Sequence, residues 1–516
     1  MTTLTLMNKK DIQTILSSQL FNAEFYLTSY PDVKNSGIDP IIHYVLFGCH
    51  ENKNPNDTFN TQTYKNLFQS TFEKDENPFA HYLRHNENLY FFEKGLLQNN
   101  SHEVLLNCLN KIKKYPYFNP EYYQAANPNI KFEGISATRH ALLYGIGEGR
   151  TVLSPRHIAQ HLGWECKQQL TYTPAKPSGK AVLPESVGVF YHSEGNIFIQ
   201  ELAEILCNYI KRSKINVQLM TEKTPVSERP ELCIFCAPHE FFFLSGSEHW
   251  KNEDILTSSI MFNTEQPHTL WFTRGLIYCL MSAGVIDICH QNMASFKNTG
   301  LNVFHFDPLP VVKKTTLTQT EKKHPFFRVL SEETKNSSSP LCPLEERPLD
   351  ISFFGNTSGN RERFFSHNTE FFTEYSCFLY YRKTDGPLTH SDKYSVPANF
   401  PRYIAERSKI ALNIHRDDFG FFEWHRLVQQ NMASGAVVVT EECFPHPLYK
   451  NGTHYLSESA RHIPNLIEWL LNTDDGMAEA ARIQKNCFRV FANKSLALSK
   501  LNDIRSYLAS VWSTVQ

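Results

Sequence analysis

Ser408-Lys-Ile-Ala-Leu-Asn-Ile-His-Arg416, the turn Phe419-Gly-Phe-Phe-Glu423, the segment Trp424-His-Arg-Leu-Val-Gln-Gln-Asn-Met-Ala-Ser-Gly435 and the run Ala436-Val-Val-Val-Thr440 follow one another along the chain. The two short apolar runs read as strands, and the mixed segment that closes on Gly435 reads as a helix with its stop signal. Strand, loop, helix and strand make the unit of a parallel sheet with crossover helices. The loop between them gathers His415, Arg416, Glu423, His425 and Arg426. Ligands of open α/β sheets bind outside the carboxyl ends of strands. Cationic and hydrogen-bonding side chains there suit an anion, and a nucleotide diphosphate is the natural candidate.

The same alternation extends in both directions. Toward the C-terminus, helices are expected over Ile463 to Asn472, Gly476 to Lys494 and Leu496 to Val511. Upstream, Leu349 to Phe354 is a strand that runs into Gly355-Asn-Thr-Ser-Gly359, and Asn360-Arg-Glu-Arg-Phe364 opens a helix. Further back, Val187 to Tyr191, Asn216 to Met220, Leu232 to Ala237, Ile260 to Thr264, Val285 to Cys289 and Val303 to Phe306 read as six more strands, the first two joined by an amphipathic helix from Ile197. The fold class is therefore α/β, with two Rossmann-like domains. Boundaries fall at a helical domain 1–155, a connector 156–183, a first α/β domain 184–312, a polar Ser/Pro-rich linker 313–347, a second α/β domain 348–495 and a C-terminal helix 496–516.

The front of the chain repeats itself. Phe21-Asn-Ala-Glu-Phe-Tyr26, Phe59-Asn-Thr-Gln-Thr-Tyr64 and Phe118-Asn-Pro-Glu-Tyr-Tyr123 open three copies near 21–55, 59–90 and 118–150. Each is followed, 22 residues after its Phe, by His43, His81 or His140. Asn in second place suits a helix cap, and each copy reads as a helical pair that stacks on its neighbours. One His per copy is too widely spaced for a shared ion, so these are expected to be buried, hydrogen-bonded structural residues.

Composition narrows the function. A chain of 516 residues with a formal net charge of -2 has no bulk basic character for nucleic acid. Its 12 Cys include one C-x-x-C, Cys233 and Cys236, set in an apolar strand where they read as buried thiols rather than a redox or zinc motif. With no disulfide framework, no signal-peptide core and no apolar stretch near the ~20 residues of a membrane span, a cytoplasmic location is expected, with membrane contact only through a partner.

Several segments carry a family resemblance. Asp350-Ile-Ser-Phe-Phe-Gly-Asn356, Asn413-Ile-His415 and Asn431-Met-Ala-Ser-Gly-Ala-Val-Val438 resemble the donor half of bacterial GT-B glycosyltransferases. Asn263-Thr-Glu-Gln-Pro267 and Val285-Ile-Asp287 resemble the acceptor half of a related subgroup. The front repeats are similar to the F-D-x-x-Y-Y, Y-P-D-V and H-Y modules that precede such domains in surface-polysaccharide enzymes, which implies an accessory role for them. The resemblance implies two lobes facing across a cleft, transfer of a sugar from a nucleotide-sugar co-substrate to a glycan or protein acceptor, no further cofactor and no metal.

Donor contacts are then expected from Gly355, Asn356, Thr357 and Arg361 around a phosphate loop, and from His415, Arg416, Glu423, Arg426 and Gln430. Gln430 stands where retaining members carry the second Glu of their motif, so the stereochemical outcome stays open. For an inverting reaction, the general base candidates are Glu265, His239 and His192, on loops after first-domain strands. The alternative is a non-catalytic scaffold or binding module built on a retired GT-B fold.

Overall fold

The computed structural model describes residues 6–18, 20–56, 59, 61–68, 76–84, 102–128, 130, 136–162, 182–336, 338–382, 396–397, 399–417, 419–421 and 428–516. Two separate parallel sheets form its frame. The first holds β1 (Val187–Tyr191), β2 (Val217–Thr221), β3 (Leu232–Cys236), β4 (Ile260–Asn263), β5 (Gly284–Asp287) and β6 (Asn302–His305), in the order β2-β1-β3-β4-β5-β6. The second holds β7 (Leu349–Asn356), β8 (Cys377–Arg382), β9 (Ser408–Asn413), β10 (Val437–Glu441) and β11 (Leu456–Glu458), in the order β11-β10-β9-β7-β8. Both are doubly wound, so each has a point where strand order reverses: between β1 and β3, and between β7 and β9. The two Rossmann-like lobes make the GT-B arrangement.

The central strands are near-continuous apolar runs because helices cover both faces of each sheet. Leu232-Cys-Ile-Phe-Cys236 is buried throughout, so Cys233 and Cys236 are core residues whose thiols burial keeps protonated. The final helix, Lys494–Val515, returns to the first lobe: Tyr507 stacks on Phe304 with ring centres 5.3 Å apart, and Arg505 donates to the Ser213 carbonyl at 2.6 Å. Residues 313–347, read as a linker, carry short helical turns that lie on the second lobe. There the buried Arg347 donates to the Pro340, Ala405 and Ser408 carbonyls.

In the front segments Asn22 and Asn119 cap their helices through the Phe25 and Tyr122 amides. One Tyr–His hydrogen bond recurs in each: Tyr26 with His43 at 3.1 Å, Tyr64 with His81 at 2.9 Å and Tyr123 with His140 at 3.0 Å. The third segment is continuous with the first lobe's core. Lys111, on the helix His102–Lys114, caps the helix Leu270–Met281 by donating to the Leu280 carbonyl at 2.7 Å, and Tyr115 donates to Asn292 at 3.0 Å. The first two segments pack against Phe243 and Leu270 of that lobe. No helix among the described residues is long and apolar enough to cross a membrane.

Candidate active site at the seam between the lobes

The carboxyl ends of the two sheets face each other. His268, after β4, donates from Nε2 to Asp417, after β9, at 2.8 Å, and Gln291, after β5, donates to the Pro445 carbonyl, after β10, at 2.7 Å. Both switch points therefore open toward this seam.

On the first lobe, β3 is followed by Ala237, held at φ 48° and ψ 67°. A residue with a Cβ in the left-handed region costs roughly 1–3 kcal/mol unless the surroundings enforce it. Here Ala237 turns the chain so that Pro238–Phe241 brings His239 and Glu240 to the strand's end. His239 is 5% exposed, its Nε2 lies 3.6 Å from a Glu265 carboxylate oxygen, and its Nδ1 has no protein partner. Burial, reinforced by the nearby Arg274 cation, pushes its pKa down to about 3, so the ring is neutral. Glu240 accepts from the Asn196 amide at 3.0 Å, and burial lifts its carboxyl to about 7. His192 is engaged on both nitrogens: Nδ1 accepts from the Glu194 amide at 3.2 Å and Nε2 donates to the Ser245 carbonyl at 3.0 Å. Glu265 and His239 are thus brought together, whereas His192 is tied to its own loop.

On the second lobe the phosphate loop is shorter than expected. Gly355 and Asn356 belong to β7, in register with Tyr381 and Arg382 of β8, which leaves Thr357 and Ser358 as the turn. Gly355 is small because Phe353 and Arg361 crowd the space a Cβ would take. Ser358 caps the helix Gly359–His367 by accepting from the Arg361 amide at 3.3 Å, and nothing lies within 4 Å of the place a side chain on Gly359 would occupy. A helix start with open space before it suits an anion. The Arg361 side chain itself is buried and works as a brace, donating to the Ile414 carbonyl at 2.8 Å and the Asn356 carbonyl at 3.0 Å.

His415 follows β9. Its amide donates to Glu441 at 2.6 Å, its Nε2 donates to the Glu442 carbonyl at 3.1 Å, and its buried Nδ1 has no partner among the described residues. Arg416 beside it is exposed at the seam. Gln430 reaches the other lobe and donates to Glu201 at 3.2 Å. Glu423 and Arg426, with His425, lie outside the described residues.

Among the described residues, His239 Nδ1, Thr264 Oγ1, Asn413 Oδ1 and His415 Nδ1 are buried side-chain atoms without a protein partner at the carboxyl ends of strands flanking the seam. Buried polar atoms ordinarily find partners, and these four leave hydrogen-bonding capacity at the edge of the seam.

No protein-family model matches the chain, and no curated protein sequence does. Solved structures similar to it include the T4 phage β-glucosyltransferase, at 13% identity over 64% of this chain and 98% of that one, TM-score 0.34. HepE of Anabaena, in complex with UDP and glucose, is 10% identical over 63% of this chain and 100% of that one, TM-score 0.37. An α1,3-fucosyltransferase with GDP-fucose is 9% identical over 62% and 94%, TM-score 0.32. At such scores the likeness is one of outline, and the site has to be read from this chain's own residues.

Asn413 and Thr264 stood in the sequence only as parts of the segments that carry the family resemblance, and Glu441 as the holder of the His415 amide was missed. The Glu441-Glu442 pair after a Val-rich strand was a visible signal. Reading the sequence alone also missed His305 and Asp307, which with His446 bring their ligating atoms within 4.8 Å of one another at the lobe junction, a group of the kind that can hold a metal ion. The Lys500 ammonium already stands 2.9 Å from Asp307 Oδ2, and Gln429 donates to the other oxygen. With a cation of the chain's own in place, the carboxylate is already satisfied.

Proposed function

We propose that the chain is a glycosyltransferase that moves a sugar from a nucleotide-sugar donor to a glycan or protein acceptor. The observation that carries this reading is the unpartnered polar edge on both sides of one seam, opposite an open helix N-terminus. The second lobe is the donor lobe. The backbone N–H groups at the start of Gly359–His367 and the Arg416 guanidinium receive the diphosphate, whose negative charge grows as its bond to the sugar breaks. Asn413 and His415 meet the sugar or ribose hydroxyls. These groups need no metal to hold the leaving group, so metal-independent transfer follows from the reading.

The first lobe is the acceptor lobe. The Glu265 carboxylate takes the proton of the acceptor hydroxyl as its oxygen bonds to the anomeric carbon, and the nucleoside diphosphate departs with the bonding electron pair. His239, kept neutral, holds the carboxylate side of the pocket without competing for that proton. A role in bacterial surface glycan synthesis belongs to the same reading through the resemblance of the front repeats, and a cytoplasmic location through cysteines such as Cys233 and Cys236 that stand as free thiols.

Calorimetry against uridine, guanosine and cytidine diphosphates tests it. Saturable binding of one of them, weakened by Arg416→Ala, is expected; no binding of any would end the proposal. Binding with no transfer to any acceptor would point to the scaffold alternative, which the reach of Gln430 toward Glu201 rather than into the donor site favours.

A further inference from the structure

The tip of the donor loop is seated on both lobes. Asp417 pairs with His268 across the seam, and the His268 ring stacks on Phe419, centres 4.2 Å apart and planes 11° from parallel, with Phe421 next in the same stack. Phe421 is 1% exposed and buried with Cys289, which follows β5 of the first lobe, and with Phe444. Leu162, from the helix Pro155–Leu162 of the front module, packs on the same cluster. Because Nε2 faces a carboxylate, which only accepts, His268 donates there. The Phe444 amide in turn donates to the Gly420 carbonyl at 2.6 Å, which ties the loop after β10 to the same tip.

His268 stands three residues after Glu265, and Asp417 directly follows Arg416. A rigid link between the base-bearing loop and the diphosphate-bearing loop fixes the distance from acceptor oxygen to anomeric carbon. Misplacement by about 1 Å in such a reaction costs on the order of a hundredfold in rate.

We infer that His268 is a positioning residue that clasps the donor loop to the acceptor lobe through Asp417 and the Phe419–Phe421 stack, setting the alignment of the two substrates. The inference builds on the glycosyltransferase reading for its effect on rate, but the clasp itself can be tested without it. His268→Ala and Asp417→Asn should each lower kcat at least about tenfold and leave the affinity for nucleoside diphosphate within about threefold, because the diphosphate contacts stay on one lobe. The double variant should be no slower than either single one, since both remove one link. His268→Gln, whose amide reaches where Nε2 stood, should recover part of the rate.

Hydrogen exchange gives a readout independent of activity. Amides from Phe419 to Phe421 and that of Phe444 should exchange at least about tenfold faster in His268→Ala, and those of β1, β3 and β7 should not change. Unchanged exchange at the tip, or single-variant losses that multiply in the double variant, would overturn the clasp. Absence of nucleotide binding by the unaltered protein would overturn the glycosyltransferase reading instead, and the exchange data would still decide the clasp.

Discussion

Lys500 and Asp307 stand 193 residues apart in the chain and meet at the lobe junction, Lys500 Nζ donating to Asp307 Oδ2 at 2.9 Å. Asp307 follows the last strand of the first lobe, Lys500 lies on the returning C-terminal helix, and Gln429 of the second lobe holds the other carboxylate oxygen. Burial alone would raise the Asp307 pKa; the charges of Lys500, then His446 and His305, outweigh it and hold the carboxyl well below the usual range. Three elements from two lobes therefore converge on one buried carboxylate.

Breaking this pair leaves an uncompensated buried charge. Lys500→Met is expected to destabilise the protein by about 3–5 kcal/mol. Replacing both residues, Lys500→Met with Asp307→Asn, should recover part of that loss. Urea titration of the parent and the two variants measures it; a single Lys500→Met variant as stable as the parent would show that water reaches the junction.

His446 makes the same junction sensitive to acid. Burial holds its pKa down to about 4, and its Nδ1 accepts from the Leu448 and Tyr449 amides. The unfolded chain takes up that proton near the ordinary value of about 6.5, while the folded protein resists until about 4. The unfolded state thus binds more protons in this window, and stability falls as pH drops from about 6.5 to about 4, by up to about 3 kcal/mol. Asp287, lifted to about 8 by burial, contributes the opposite slope as pH rises, so the difference between variants isolates the histidine. His446→Asn, which keeps the acceptor for the two amides, should flatten the acid-side slope relative to the parent in urea titrations at a series of pH values.

The front segments depend on how close a tyrosine comes to a glycine. A Cβ on Gly48 would overlap Tyr26 Oη while standing 3.3 Å from its Cζ, and Gly145 is crowded by Tyr123 in the same way. Gly48→Ala is expected to cost about 1–3 kcal/mol through overpacking. Tyr26→Phe, which gives up the bond to His43, should cost about 1 kcal/mol. Combined, the two changes should cost less than their sum, because the missing hydroxyl makes room for the new methyl. Thermal melts of the four proteins read this out, and simple additivity would refute the packing argument.

Glu265→Gln keeps size and hydrogen-bonding capacity but cannot take a proton. It should lower kcat by about 10²–10⁴ and leave nucleoside diphosphate binding unchanged. Glu240→Gln offers the contrast, since Glu240 is engaged with the Asn196 amide. An equal loss from Glu240→Gln and none from Glu265→Gln would move the base role from the loop after β4 to the turn after β3.

Strand positions were legible because a sheet covered on both faces needs apolar runs, and Val187–Tyr191 and Val437–Glu441 are such runs. Helix starts were legible where a local cap writes them, as at Asn22, Asn119 and Asn196. The Tyr–His pairing of the front segments was half-visible: a constant spacing marked the histidines, but not the tyrosine each would bond. β11, only three residues long, carried too little pattern to be seen. On the site, Arg361 looked like a phosphate ligand because helix position alone suggested it; only coordinates place its guanidinium on the Ile414 and Asn356 carbonyls.

What the sequence determined by itself was local: alternation of strand and helix, cap residues, turn glycines and the clustering of cationic groups after β9. These follow from backbone geometry and short-range burial, which operate within a few residues. The tertiary structure alone decided that His268 meets Asp417, that Lys500 returns to Asp307 and that the front module shares the first lobe's core. Such contacts are set by the packing of distant apolar faces and by the pairing of charges that burial would otherwise penalise, and no short window of sequence contains both partners.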